Sequence, residues 1–143
     1  MSARAFSAAT LVPGAAAGAP LLLEEPLSFW GGLDPLLGAI IDRRHPQAGA
    51  NIADRIMMMP TGRGSSGGSA ILAEALRLGT GPAGILMLER DAIIVVGAMV
   101  AAELYGRACP VALASERDWR ALAAASRLAI EASPRGAAIS AES

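Results

Sequence analysis

Pro60-Thr61-Gly62-Arg63-Gly64-Ser65-Ser66-Gly67-Gly68-Ser69 puts four of the chain's 16 glycines and three serines into ten residues. To its left runs Ile56-Met57-Met58-Met59, apolar without interruption. To its right Ile71, Leu72, Ala75, Leu76 and Leu78 recur at helical spacing, with Glu74 and Arg77 between them. The pattern predicts a strand, a glycine loop and a helix. Such a loop frees successive backbone N–H groups at a helix N-terminus, where an anion or a developing negative charge is stabilised. Glycine removes the side chains that would hold a ligand off the backbone. Ser65 and Ser66 stand where a hydroxyl could act on that ligand. A flexible polar connector would have the same glycine pattern.

Working outward, Arg55 to Met59 predicts a strand apolar on both faces, hence central and buried. The helix spans Gly68 to Leu78 and stops at Gly79, followed by Thr80-Gly81-Pro82. Gly84 to Leu88 is a second buried strand. Ala92 to Leu104 reads as a helix closed by Gly106, and Cys109 to Ala114 as a strand. Ser115-Glu116-Arg117-Asp118 is a capping signal before a short helix that carries Trp119 and Leu122. Arg127 to Ala132 and Ala137 to Ser140 alternate around Ser133-Pro134-Arg135-Gly136, a terminal hairpin. On the N-terminal side, Ala3 to Val12 and Ala19 to Leu23 predict two strands joined by a small-residue turn at Pro13-Gly14. Ser28 to Trp30 reads as a strand. Ala39 to Asp42 is its antiparallel return after Gly31-Gly32 and the Asp34-Pro35 turn. Strands come first and strand–helix units follow. The chain is therefore expected to be one α/β domain over residues 1–143, with a β-rich front and a βαβ back.

Composition narrows the function. The chain has 143 residues, is 53% hydrophobic and only 17% charged, with a net charge of -1. That balance argues against nucleic acid or an anionic membrane as partner. All 12 basic residues are arginine, so no lysine Schiff base or lysine base is available. One cysteine, Cys109, excludes an internal disulfide. With the lone His45, it also leaves no donor set for an iron–sulfur cluster or a structural zinc held by this chain alone. Cys109 reads as a core residue. A reducing cytoplasm is the expected compartment. No apolar run approaches the ~20 residues of a membrane span, and Pro13-Gly14 and Gly18-Ala19-Pro20 interrupt the N-terminal run too early for an export signal. Asp42-Arg43-Arg44-His45-Pro46 is the densest charge cluster. Its arginines could bind a carboxylate or phosphate in bidentate fashion, face a partner, or simply be solvated.

Four stretches taken together resemble one family. They are Ser28-Phe29-Trp30-Gly31-Gly32 with Asp34-Pro35; Ile41-Asp42-Arg43-Arg44-His45-Pro46; Pro60-Thr61-Gly62-Arg63-Gly64-Ser65-Ser66; and Cys109-Pro110-Val111. In order and without large gaps from about Arg4 to the terminal hairpin, the chain resembles the small subunit of the aconitase X family. The resemblance implies a fold similar to the swivelling β/β/α domain of aconitase. It implies a separately encoded large subunit that holds an iron–sulfur cluster or iron site, with no metal or cofactor bound by this chain. The implied activity is that of a hydro-lyase, active only with the large subunit, on a small hydroxy-acid substrate. This would be cis-3-hydroxy-L-proline, giving Δ1-pyrroline-2-carboxylate, or alternatively (R)-5-phosphomevalonate. The alanine-rich, lysine-free composition suggests a high-GC bacterium and tilts the reading to hydroxyproline. The family's proton acceptor matches Ser65. Arg63, Gly64 and Ser66 are expected to contact substrate, and Trp30, Arg43, Arg44 and His45 to line the site or the subunit interface. After Ser66 the family often continues with further serines, where this chain has Gly67-Gly68-Ser69. A non-catalytic ligand-binding swivel module is the competing reading.

Overall fold

The computed structural model describes residues 3–143. Strands β1 (Ala3–Val12), β2 (Gly14–Gly18), β3 (Pro20–Leu22), β6 (Ile56–Met58), β7 (Gly84–Met87), β8 (Val111–Leu113), β9 (Arg127–Ser133) and β10 (Gly136–Glu142) form one sheet in the order β2-β9-β10-β1-β8-β7-β6-β3. A separate hairpin pairs β4 (Leu33–Asp34) with β5 (Ala39–Ile40). The helices are the single turn α1 (Phe29–Gly32), then α2 (Gly67–Leu78), α3 (Ala92–Tyr105) and α4 (Glu116–Ala123).

Half of the sheet, β3, β6, β7 and β8, is parallel. The other half, β2, β9, β10 and β1, is antiparallel. The two halves meet where β1 pairs antiparallel with β8, and a register shift between Thr10 and Val12 lets β1 bend there. The antiparallel half folds over the parallel one. Leu128, Ile130, Ala132, Ala137 and Ile139 pack with Ile56, Met58, Leu86 and Ala112, and Trp119 and Leu122 of α4 join the same cluster. On the far face Met57, Met59, Ile85, Met87 and Val111 pack against Leu72, Leu76, Ile94 and Ala98 of α2 and α3. Successive residues of β6, β7 and β8 therefore enter alternate cores, which is why those strands are apolar at every position. β9 and β10 have only one covered face, and Arg127, Glu131 and Ser140 alternate outward. The result is three layers, β/β/α, the swivelling domain expected from the sequence.

Two local expectations are corrected. Gly14–Gly18 is not a turn but the edge strand β2, paired with β9 from Gly14↔Ala132 to Gly18↔Leu128. Its small residues allow close packing: a Cβ on Gly18 would lie 2.5 Å from the Asp54 carbonyl oxygen. Ser28–Trp30 is not a strand. Phe29 opens a helical turn that breaks at Trp30 (ψ 111°) and Gly31 (φ 80°), and only Leu33–Asp34 beyond it is extended. The capping signal at Ser115 does start α4, but the Ser115 side chain makes no cap bond.

Candidate active site

α2, α3 and α4 each begin just after the carboxyl end of a parallel strand, β6, β7 and β8 respectively. The glycine loop lies on that edge, where open α/β sheets bind ligands. It leaves β6 through Pro60, whose carbonyl accepts from the N–H groups of both Leu88 and Glu89. It turns at Gly64 (φ 106°), a conformation that strongly favours glycine, and enters α2 at Gly67. Ser66 occupies the N-cap position without a side-chain cap bond. The Ser65 and Ser66 carbonyls accept from Gly68 and Ser69 at 2.9 and 3.2 Å.

The remaining polar groups of the loop are unengaged. Among the described residues, no oxygen of the chain accepts from the N–H groups of Gly64, Ser65, Ser66 or Gly67. The hydroxyls of Ser65 and Ser66 make no hydrogen bond, and both residues are exposed. Arg63 is exposed and joins neither of the two ion pairs among the described residues, Arg77–Glu74 and Arg117–Asp118. The positive end of α2 points into this region. Such a loop can accept a negatively charged group and hold a hydroxyl beside it.

Its conformation is fixed from both sides by glycine contacts. A Cβ on Gly62 would collide with the Asp91 carboxylate, whose other oxygen caps α3 by accepting from Ile94 N–H at 3.1 Å. A Cβ on Gly64 would collide with Ser28 Oγ, and one on Gly67 would lie 2.8 Å from Cε3 of Trp30. Thus the two stretches Ser28–Gly32 and Pro60–Ser69, far apart in sequence, form one structure. Ser28 and Asp91 carry no sequence signal for this role beyond Ser28's place beside Phe29-Trp30 and Asp91's capping position. Their importance emerges only from the fold.

The other predicted residues separate. Trp30 is at the loop and 61% exposed. Arg43 and Arg44 are exposed, and Arg44 N–H donates to Asp42 Oδ1 in the turn that presents them. His45 lies inside, 6% exposed. Its Nδ1 accepts from Gln47 N–H at 3.0 Å, so its Nε2 carries the hydrogen and donates to the Glu25 carbonyl at 2.9 Å. It braces the Glu25 and Gln47 segments, and both of its nitrogens are occupied. Cys109 is fully buried, and burial pushes its thiol up to about 12, far from the thiolate a metal needs. Among the described residues no three His, Cys, Asp or Glu side chains gather as a metal site. No described helix is long and apolar enough to cross a membrane.

The fold and the loop together define the class: a three-layer swivelling domain with a Gly-Ser-Ser loop at the carboxyl edge of its parallel strands. Residues 5–139 match the family model for the aconitase X swivel domain, and the chain belongs to that family. It is 47% identical over 108 residues to the cis-3-hydroxy-L-proline dehydratase of Pseudomonas aeruginosa, covering 76% of this chain and 19% of that protein. It is 40% identical over 88 residues to the phosphomevalonate dehydratase small subunit of Methanothermobacter thermautotrophicus, covering 62% and 67%. The crystal structure of Thermococcus kodakaraensis aconitase X (holo-form) superposes with a TM-score of 0.79 at 22% identity, covering 98% of this chain and 99% of that one. A solution structure of a UPF0107 protein superposes with a TM-score of 0.76 at 27% identity, covering 94% and 97%. The chain spans about a fifth of the length of the two hydroxyproline dehydratases it matches.

Proposed function

We propose that this chain is the small subunit of a two-subunit dehydratase that acts on cis-3-hydroxy-L-proline, with Ser65 as proton acceptor. One observation carries the reading: an exposed serine hydroxyl, free of protein partners, stands in a run of four unengaged N–H groups at the start of α2. The 47% identity to a hydroxyproline dehydratase supports the substrate. Two exposed apolar areas, Trp30 with Leu36, Leu37 and Ile41 and the outer face of α3 at Val96, Met99 and Leu104, support a large partner.

A neutral serine is a very weak base, and its alkoxide is far too basic to persist unaided near neutrality. The site must stabilise negative charge on oxygen. The N–H groups from Gly64 to Gly67, the α2 dipole and Arg63 do this, each well-aimed donor contributing about 3–4 kcal/mol in the transition state. Ser65 Oγ takes the proton from the carbon bearing the carboxylate, the C–H electron pair forms the C2=C3 double bond as hydroxide leaves the neighbouring ring carbon, and the proton that Ser65 then releases joins that hydroxide as water. The resulting C2=C3 enamine tautomerises to Δ1-pyrroline-2-carboxylate. Arg63 and Ser66 contact the substrate carboxylate or the developing oxyanion. Among the described residues no donor set gathers as a metal site; the iron centre belongs to the large subunit in this reading, where it would supply a Lewis acid for the departing hydroxyl, and no step here runs through it. Arg43 and Arg44 face that subunit. The assembly works in the cytoplasm.

The test is to co-express the chain with its large subunit, isolate the complex and supply cis-3-hydroxy-L-proline and (R)-5-phosphomevalonate separately. Dehydration of hydroxyproline alone is the expected result. Turnover of phosphomevalonate alone would replace the substrate. A chain that forms no complex yet binds phosphorylated metabolites would be a ligand-binding module.

A further inference from the structure

We infer that Ser28 and Trp30 are positioning residues that clamp the serine loop at two points, Gly64 and Gly67, and so aim the Ser65 hydroxyl that lies between them. This rests on the reading of Ser65 as the proton acceptor. Ser65 and Ser66 make no side-chain hydrogen bonds of their own, so something else must hold their direction. The turn that precedes β4 does so. Leu27 and Phe29 sink into the core, 1% and 2% exposed, and fix the turn to the body of the domain. Ser28 Oγ donates to the Trp30 carbonyl at 3.1 Å and closes the turn on itself. The break at Trp30 and Gly31 then throws the indole outward over the start of α2.

Both contacts need the absence of a side chain. The Gly64 α-carbon sits against Ser28 Oγ, at a φ of 106°. The Gly67 α-carbon sits under the six-membered ring of Trp30, where a methyl would come 2.8 Å from Cε3 and 3.1 Å from Cδ2. Gly68 closes the seat: a methyl there would meet Phe29 Cβ at 3.7 Å and Ile93 Cγ2 at 3.2 Å. One rigid turn thus touches the loop on either side of Ser65-Ser66. A displacement of about 1 Å in a reacting group can cost about 100-fold in rate, which makes these contacts consequential.

A double-mutant cycle on the two-subunit enzyme tests this, using Gly67→Ala, Trp30→Ala and the pair, with Ser28→Ala and Ser65→Ala alongside. Gly67→Ala and Ser28→Ala should each lower kcat about tenfold or more while leaving KM nearly unchanged. Removing the indole should relieve the collision, so the pair should be about tenfold more active than the product of the single effects predicts. In the isolated chain, Gly67→Ala should speed exchange of the Gly68 and Ser69 amides, which donate to the Ser65 and Ser66 carbonyls, about tenfold. Strictly multiplicative effects on kcat, or unchanged exchange at those amides, would overturn the clamp even if Ser65→Ala is inactive. An active Ser65→Ala enzyme would overturn the assignment of the base, whatever the cycle shows.

Discussion

The carboxylate of Asp91 abuts the α-carbon of Gly62 with one oxygen and accepts the Ile94 N–H of α3 with the other. One side chain therefore joins the first turn of α3 to the serine loop. Asp91→Ala removes the cap and should destabilise the chain by about 1 kcal/mol. Asp91→Asn keeps an acceptor and should cost less than half of that. Urea unfolding of the isolated chain measures both, and equal losses would show that capping is not the origin.

His45→Ala leaves the Glu25 carbonyl and the Gln47 N–H without their partner at a part-buried position. The expected loss is about 2 kcal/mol, read from denaturant unfolding. Turnover of the folded variant in the complex should stay close to wild type, because both ring nitrogens are used within the fold. A large fall in kcat with normal stability would bring His45 into the chemistry.

These two residues show what the sequence could and could not convey. The strands around Met57, Ile85 and Val111, the helices that follow them and the terminal hairpin were legible because both faces of the parallel strands are buried and β9–β10 alternates. The Gly14–Gly18 strand was not, because Ala and Gly have little strand preference and only its pairing with β9 makes it extended. The Ser28–Trp30 turn was misread because Phe29-Trp30 looks like a strand, while burial of Phe29 and a positive φ at Gly31 decide otherwise. Ser65 and the loop were legible as a motif. Ser28 and Asp91 were not, since their role depends on contacts between segments about 30 residues apart or more along the chain.

Gly97 lets α3 approach α2. A methyl there would lie 2.9 Å from the Ser69 carbonyl oxygen and 3.1 Å from Leu72 Cβ, and Ser69 Oγ donates to the Ile93 carbonyl at 2.7 Å one turn away. Gly97→Ala gains about 1 kcal/mol of helix propensity. Overpacking against a backbone oxygen costs about 1–3 kcal/mol. Net destabilisation of about 1 kcal/mol is expected in thermal or urea unfolding. A stabilised variant would mean that the two helices separate without penalty.

Cys109 makes stability fall at alkaline pH. Burial raises its thiol from 9.0 to about 12. Between those values the unfolded chain releases a proton that the folded chain retains, so stability is complete below pH 9 and declines as pH rises toward 12. The slope approaches ~1.4 kcal/mol per pH unit. Cys109→Ala should lack this increment. Urea unfolding of both proteins from pH 8 to about pH 10.5 compares the slopes, and parallel curves would contradict the burial effect.

The account depends most on the Ser65 hydroxyl. Turnover of cis-3-hydroxy-L-proline by the complex reconstituted with Ser65→Ala tests it directly, with subunit association measured in the same samples. The expected result is a fall in kcat of about 100-fold or more with association unchanged. A Ser65→Ala complex that forms normally and keeps more than about a tenth of the wild-type kcat, far short of the loss a removed general base produces, would contradict it.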